Sequence, residues 1–183
     1  MSVRHCALVC ALCAGIASGS VIHLDPAKSN IEFTLADVLH TVHGSFRLKS
    51  GVVNFDVENK AISGLIVVDA ASGNSGSSLR DGRMKRTYLE VQRYPEITFA
   101  PTRFEGTPDP SGAAMTVMGR FTLHGENHAL SIPMHIKISG SEVSATGDFS
   151  VPYVAWGIKN PSTLFLRVNE KVQIHVSVTG SIE

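Results

Sequence analysis

Between Ala113 and Ser139 apolar and polar side chains alternate along two runs that meet at a short polar segment. In the first run Ala113, Met115, Val117, Gly119, Phe121 and Leu123 hold the odd positions, against Thr116, Met118, Arg120, Thr122 and His124 on the even ones. In the second the apolar set moves to even numbers, Leu130, Ile132, Met134, Ile136 and Ile138, against Ser131, Pro133, His135, Lys137 and Ser139. A period of two marks a strand with one face kept from water, so the segment predicts a long antiparallel hairpin turning at Gly125-Glu126-Asn127. Strands of about ten residues exceed the usual five or six, and a sheet built from them tends to curl around something.

Similar patterns run through the rest of the chain. Val21 to Pro26 predicts a short opening strand ended by proline, and Ile31, Phe33 and Leu35 alternate with Asn30, Glu32 and Thr34 in a second. Val38 to Leu48 reads as extended, and Gly51 is expected to turn the chain into the alternating Val53, Phe55 and Val57. From Ile62 to Ala70 both faces are apolar, Ile66 and Val68 on one and Leu65 and Val67 on the other, so something should cover the outside. A Gly/Ser-rich loop, Ala71 to Ser77, follows. Ser78 with Asp81 three residues on resembles a capping box, and Met84, Tyr88 and Val91 share one helical face, which predicts a helix from about Leu79 to Glu90. Tyr94-Pro95 lies beyond its end. Strands are then expected over Ile97–Phe104, Val143–Phe149 and Val172–Ile182, with a proline-containing loop from Val151 to Thr163 carrying the sole tryptophan, Trp156. Eight to ten antiparallel strands and one helix favour an all-β closed barrel or a sandwich.

Composition narrows the class. The chain has 183 residues, eight histidines, 43% hydrophobic residues and no net charge, which suits one globular domain and gives no basic excess for a nucleic-acid partner. Arg4, the uncharged run Cys6–Ile16 and the small residues Ala17 to Ser20 are ordered like a secretory signal peptide, and the run is too short to span a bilayer. The expected organisation is a leader over 1–19 and a domain over 20–183, secreted to a periplasm or to the medium, without a stable membrane span. Cys6, Cys10 and Cys13 all lie in the leader, so the domain carries no disulfide, thiol nucleophile or thiolate ligand. Lipidation of a leader cysteine is the alternative, although the residues ahead of Cys10 and Cys13 fit the usual small-residue pattern poorly.

A barrel of this size either fills its lumen or keeps room for one small ligand. Inward Ala113, Gly119, Ala145 and Gly147, interleaved with flexible Met115 and Met134, are compatible with a tunnel for an elongated apolar molecule and with a packed core that uses small residues for taper. The candidate lining is Phe33, Leu35, Phe46, Phe55, Ile66, Met115, Val117, Phe121, Met134, Ile136, Phe149, Ile174 and Val176, with Arg80, Met84 and Tyr88 from the helix and Trp156 from the loop. Arg80 either reaches the mouth to hold a headgroup oxygen or phosphate, or pins the helix by a salt bridge. Asp81 reads as the cap partner of Ser78. The stripe Met84, Tyr88 and Val91 either roofs the lumen or covers Leu65 and Val67, and the loop bearing Tyr153 and Trp156 either gates the barrel or plugs it.

Several of these residues carry a resemblance. Asn74 with Arg80-Asp81, Tyr94-Pro95-Glu96-Ile97-Thr98-Phe99 and Gly119-Arg120-Phe121-Thr122-Leu123-His124-Gly125, together with Leu24-Asp25-Pro26 and Gly44-Ser45-Phe46, resemble the YceI-like family of secreted lipid-binding proteins. Arg83-Met84 stands where many members carry His-Leu, and Lys28-Ser29 where His-Ser is common. The resemblance implies an extended, lipocalin-like, eight-stranded antiparallel β-barrel with one short helix, binding a polyisoprenoid chain such as a quinone or its precursor. It implies no other cofactor, and it leaves a homodimer open.

Two other classes compete with a carrier. A small hydrolase or isomerase would use His40 or His43 with a carboxylate such as Asp37, but no nucleophile, base and orienting group converge in the sequence. A protein-interaction module would present outward Ala114, Met118, Leu65 and Val67 as an apolar patch. No metal site is expected from His40 and His43 or from His124 and His128. A spacing of three alternates faces on a strand, and no cysteine or tight carboxylate cluster completes a set.

Overall fold

The computed structural model describes residues 19–107, 112–162 and 167–183. Residues 1–18 of the leader expected over 1–19, and Thr163 at the end of the expected loop, lie outside the described residues.

Among the described residues there are nine strands: β1 Ser20–Leu24, β2 Asn30–Ala36, β3 Thr41–Asp56, β4 Ala61–Asn74, β5 Glu96–Glu105, β6 Ala113–Leu123, β7 Glu126–Ser139, β8 Glu142–Val151 and β9 Val172–Ile182. From β2 to β9 each strand pairs antiparallel with its sequence neighbour, and β2 pairs with β9, closing an eight-membered ring. Closure removes the sheet edges that would otherwise invite pairing with other chains. β1 also lies between β3 and β9, through Ile22↔Val53 and Ile22↔Ile182. It shares one place in the barrel with β2, the two being separated by a 3₁₀ turn at Pro26–Lys28. The Asp25 carboxylate accepts the Ala27 N–H at 2.8 Å, and the Ser29 hydroxyl donates to the Asp25 carbonyl at 2.7 Å, which pins this kink without breaking the wall.

The central hairpin is present with the expected faces, but its turn falls at His124-Gly125, between the paired Leu123 and Glu126. Both turn residues have positive φ, 54° and 81°, the geometry of the two-residue turn that matches strand twist. Gly125 suits it. His124 adopts it with its ring 4.4 Å from that of Tyr94 and its Nε2 2.6 Å from a Glu90 carboxylate oxygen.

Three expectations change. Gly51 does not turn the chain: β3 runs unbroken from Thr41 to Asp56, and the missing side chain makes room for Leu24. The extended reading of Val38–His40 gives way to a loop, because the Asp37 carboxylate accepts the N–H groups of Leu39 and His40, both at 2.7 Å. The predicted loop Ala71–Ser77 is strand as far as Asn74. β5 keeps its apolar residues inward by means of a bulge between Pro101 and Arg103. The bulge shifts the inward set from Ile97, Phe99 and Pro101 to Phe104, and it accommodates a proline that cannot donate to the ladder.

The helix begins at Ser78, runs as α1 to Arg83 and continues as a π turn, Met84–Tyr88, in which the Leu89 N–H reaches the Met84 carbonyl at 2.8 Å. Its N-cap is Ser77, which makes no side-chain cap bond, so the capping box read at Ser78 and Asp81 is not formed. Asp81 instead accepts from Ser75. The wider turn brings Met84, Tyr88 and Leu89 to the lumen, and Met84 and Phe46 both lie against Gly73. The helix therefore roofs the barrel rather than covering Leu65, which stays 47% exposed beside Val52. Val67 is buried and Met118 receives an Arg103 N–H at 3.3 Å, so the apolar patch expected from Ala114, Met118, Leu65 and Val67 is not continuous.

Candidate functional site

Strand alternation points one side-chain set inward, and barrel closure turns that set into a wall. Two apolar clusters hold the wall together. Val53, Ile62, Phe99, Phe104, Ala113, Met115, Val117 and Ile132 pack on one side, and Leu123, Val151, Tyr153 and Ile158 pack toward the helix end. Facing walls do not meet everywhere. A cavity of about 770 Å³ lies between them.

Phe33, Leu35, Phe46, Phe55, Ile66, Met115, Val117, Phe121, Met134, Ile136, Phe149, Ile174 and Val176 line it, as do Arg80, Met84 and Tyr88 from the helix. Trp156 does not. Its indole stacks on His128, centroids 4.1 Å apart and planes within 3°, and it backs the cluster of Tyr153 and Ile158 from behind. That segment forms part of the wall at the helix end: Tyr153 and Ile158 line the cavity, and Tyr153, 7% exposed, donates its hydroxyl to the Asn169 carbonyl at 2.7 Å. Burial, with Glu170 and Tyr88 nearby, pushes the Tyr153 phenol up, which keeps it a donor.

The small residues do not all leave volume. A side chain on Gly119 would meet the Phe99 ring, and one on Gly147 would meet the Met134 sulfur, so both glycines are already covered by neighbours. Ala145 does line the cavity. The volume comes from the girth of the ring and from the roofing helix as much as from small side chains.

At the helix end the wall becomes polar. Asp37, His40, Ser75, Ser77, Arg80, Arg83 and Lys159 all border the cavity. Arg80 donates from Nε to the Ser75 hydroxyl and from a terminal nitrogen to the Ser75 carbonyl, both at 2.7 Å, and the same hydroxyl donates to Asp81 at 2.5 Å. Arg80 is thus held by a serine relay rather than by the direct salt bridge to the barrel considered from sequence. The Ser75 hydroxyl, aided by burial-opposing charges on Lys85 and Arg80, keeps the Asp81 carboxyl below its usual value. The backbone N–H groups of Leu39 and His40 do the same for Asp37. Sequence reading missed Arg83, Lys159, Asp37 and His40 as parts of this wall. Arg83 was readable, because a spacing of three from Arg80 on a helix puts both on one face.

His40 borders the mouth with Nδ1 3.7 Å from Asp37, whereas His43 faces outward against the Thr34 hydroxyl at 3.0 Å. The two histidines do not share a pocket. Among the described residues no three His, Cys, Asp or Glu side chains gather as a metal site would require, and no helix is long and apolar enough to cross a membrane.

Comparison with solved structures finds the same fold. BcnA of Burkholderia cenocepacia superposes with a TM-score of 0.70 at 19% identity, over 85% of this chain and 98% of that one. A polyisoprenoid binding domain from Saccharophagus degradans, implicated in plant cell wall breakdown, gives 0.66 at 14% identity over 88% and 98%. The YCEI protein of Campylobacter jejuni gives 0.62 at 17% identity over 78% and 86%. Comparison with curated protein sequences finds no match. The YceI-like domain family matches residues 23–180, nearly the whole of the described barrel, and the chain belongs to that family.

Proposed function

We propose that the protein is a secreted carrier that sequesters a long isoprenoid lipid, polyisoprenoid or quinone-like, with the tail in the lumen and the polar end beside Arg80. The observation that carries this reading is the apolar cavity of about 770 Å³, which falls within the range of ligand pockets and is polar only at its helix end. An amphiphile with one small polar end and a long hydrocarbon body matches that division. Each methylene taken from water contributes about 0.8 kcal/mol, so even a partly enclosed tail is firmly held. The fold shared with a polyisoprenoid binding domain supports the same class of guest.

The leader-like N-terminus supports secretion, and a periplasmic or extracellular site would suit a soluble lipid carrier. Native mass spectrometry of protein recovered from a secreting host without detergent tests the reading. A bound mass that extracts into organic solvent and fragments in isoprene steps is expected. Protein that carries no lipid and takes up none when offered isoprenoid alcohols or quinones would end it.

A further inference from the structure

The rim of the cavity mouth carries side chains of two kinds. Val38, Leu39 and Leu79 are 69%, 74% and 69% exposed, among the most exposed large apolar side chains of the described residues. Asp37 and His40 flank the first two and line the cavity, and so do Leu79 itself and the following Arg80. Chain topology puts both segments at one end, because the β2–β3 connection and the helix after β4 leave the barrel on the same side.

Arg80, Arg83 and Lys159 line the cavity at the same end and are exposed, while Asp37 is the single carboxylate among the described residues that lines it. That carboxylate accepts the N–H groups of Leu39 and His40, and neighbouring Asp81 accepts from Ser75, neutral donors that leave both negative charges in place. Nearby Arg167, whose carbonyl receives the Val38 N–H at 3.3 Å, adds a cation, and Glu170, near the Tyr153 phenol, an acid. Among the described residues, three cations and one carboxylate line the cavity, in a chain that has no net charge as a whole.

We propose that this rim docks on an anionic lipid bilayer. Val38, Leu39 and Leu79 enter the boundary between headgroups and acyl chains, and Arg80, Arg83 and Lys159 meet the lipid phosphates. The cavity then opens onto the membrane, and a hydrocarbon guest passes between bilayer and lumen without crossing water. The purpose rests on the carrier reading above, while the docking itself rests on the rim alone.

Vesicle sedimentation tests it, using the full chain from a secreting host with whatever N-terminus it then carries. Vesicles of equimolar phosphatidylcholine and phosphatidylglycerol should bring down the protein, those of phosphatidylcholine alone much less, and added salt should weaken the contrast. The double variant Val38→Ser, Leu39→Ser should lose about tenfold or more in binding. Arg83→Glu, which reverses one charge, should lose about twenty-fivefold, at roughly fivefold for each unit of charge. Val38 and Leu39 do not line the cavity, so the bound lipid mass of the double variant should be unchanged.

Equal sedimentation with both vesicle types overturns the proposal, and so does a double variant that sediments like the parent. A concentration-dependent dimer that the double variant loses, without vesicle binding, overturns it in favour of a second copy as the occupant. Vesicle binding by protein that carries no lipid upholds the docking and counts against the carrier reading instead.

Discussion

The Asp81 carboxylate accepts twice from Ser75, from the backbone N–H at 2.9 Å and from the hydroxyl at 2.5 Å. The pair closes the segment between β4 and the helix on itself. It also fixes the hydroxyl that receives Arg80, so the orientation of a cation at the cavity mouth depends on a carboxylate that never touches the cavity.

Replacing Asp81 by Asn should therefore weaken the helix end with a particular pH dependence. The folded protein holds this carboxyl below its ordinary value, the largest cause being the Ser75 hydroxyl. A depressed folded-state value means that the stabilisation is fully present above the unfolded value of about 4 and is lost as pH falls through the folded one. At neutral pH D81N should melt lower than the parent by an amount equivalent to about 1 kcal/mol. In acid, once the pH has fallen below the folded value, the two melting curves should converge. Thermal unfolding followed by circular dichroism across that range checks it, and a gap that stays constant with pH would contradict the assignment.

Gly147 should resist any side chain. A Cβ there meets the Met134 sulfur and the Pro133 carbonyl, and the second is backbone that cannot swing away. Gly147→Val should cost about 1–3 kcal/mol as an overpacked wall position. It should also push Met134 into the lumen. Denaturant unfolding reads the first effect and loss of bound lipid mass the second.

Arg80→Gln should separate the polar end of the guest from its tail. Hydrogen bonds to a charged group contribute about 1.5–3 kcal/mol, so affinity for an isoprenoid with an anionic or carbonyl headgroup should fall by about tenfold or more. Affinity for a plain isoprenoid hydrocarbon should change little, because the wall that holds it is intact. Competition with a fluorescent polyene lipid measures both. An equal loss for the two ligands would mean that Arg80 acts by supporting the helix.

How far these features could be read from the sequence follows from the range of the physics behind each. Alternation is local, so the inward faces of β2, β6, β7 and β9, and with them Phe33, Met115, Met134 and Ile174, were legible directly. The turn at His124 was misplaced because a histidine with positive φ announces nothing, and only the partners Glu90 and Tyr94, distant in sequence, compensate it. Gly51 looked like a turn because its role, room for Leu24, comes from a strand some 27 residues earlier. Trp156 was expected among the lining residues, yet stacking on His128 takes it behind Tyr153 and Ile158. Lys159 and His40 became wall residues only through closure of the barrel, which no local pattern encodes.

Ala145 offers the most direct test that the lumen is working space. It lies on β8, lines the cavity and is 8% exposed, so a ring placed there has only the lumen to enter. In a tightly filled barrel Ala145→Phe would be an overpacking change costing about 1–3 kcal/mol, with bound lipid a side issue. With about 770 Å³ available, the ring should instead fit as filler, leaving the lipid-free protein as stable as the parent or more so. The same ring should shorten the space along the barrel, so that long isoprenoids are excluded while short ones still bind. Melting temperature of delipidated protein, measured beside uptake of isoprenoid alcohols of graded length, distinguishes the cases. A destabilised variant that retains the full range of lengths would show that the guest lies elsewhere.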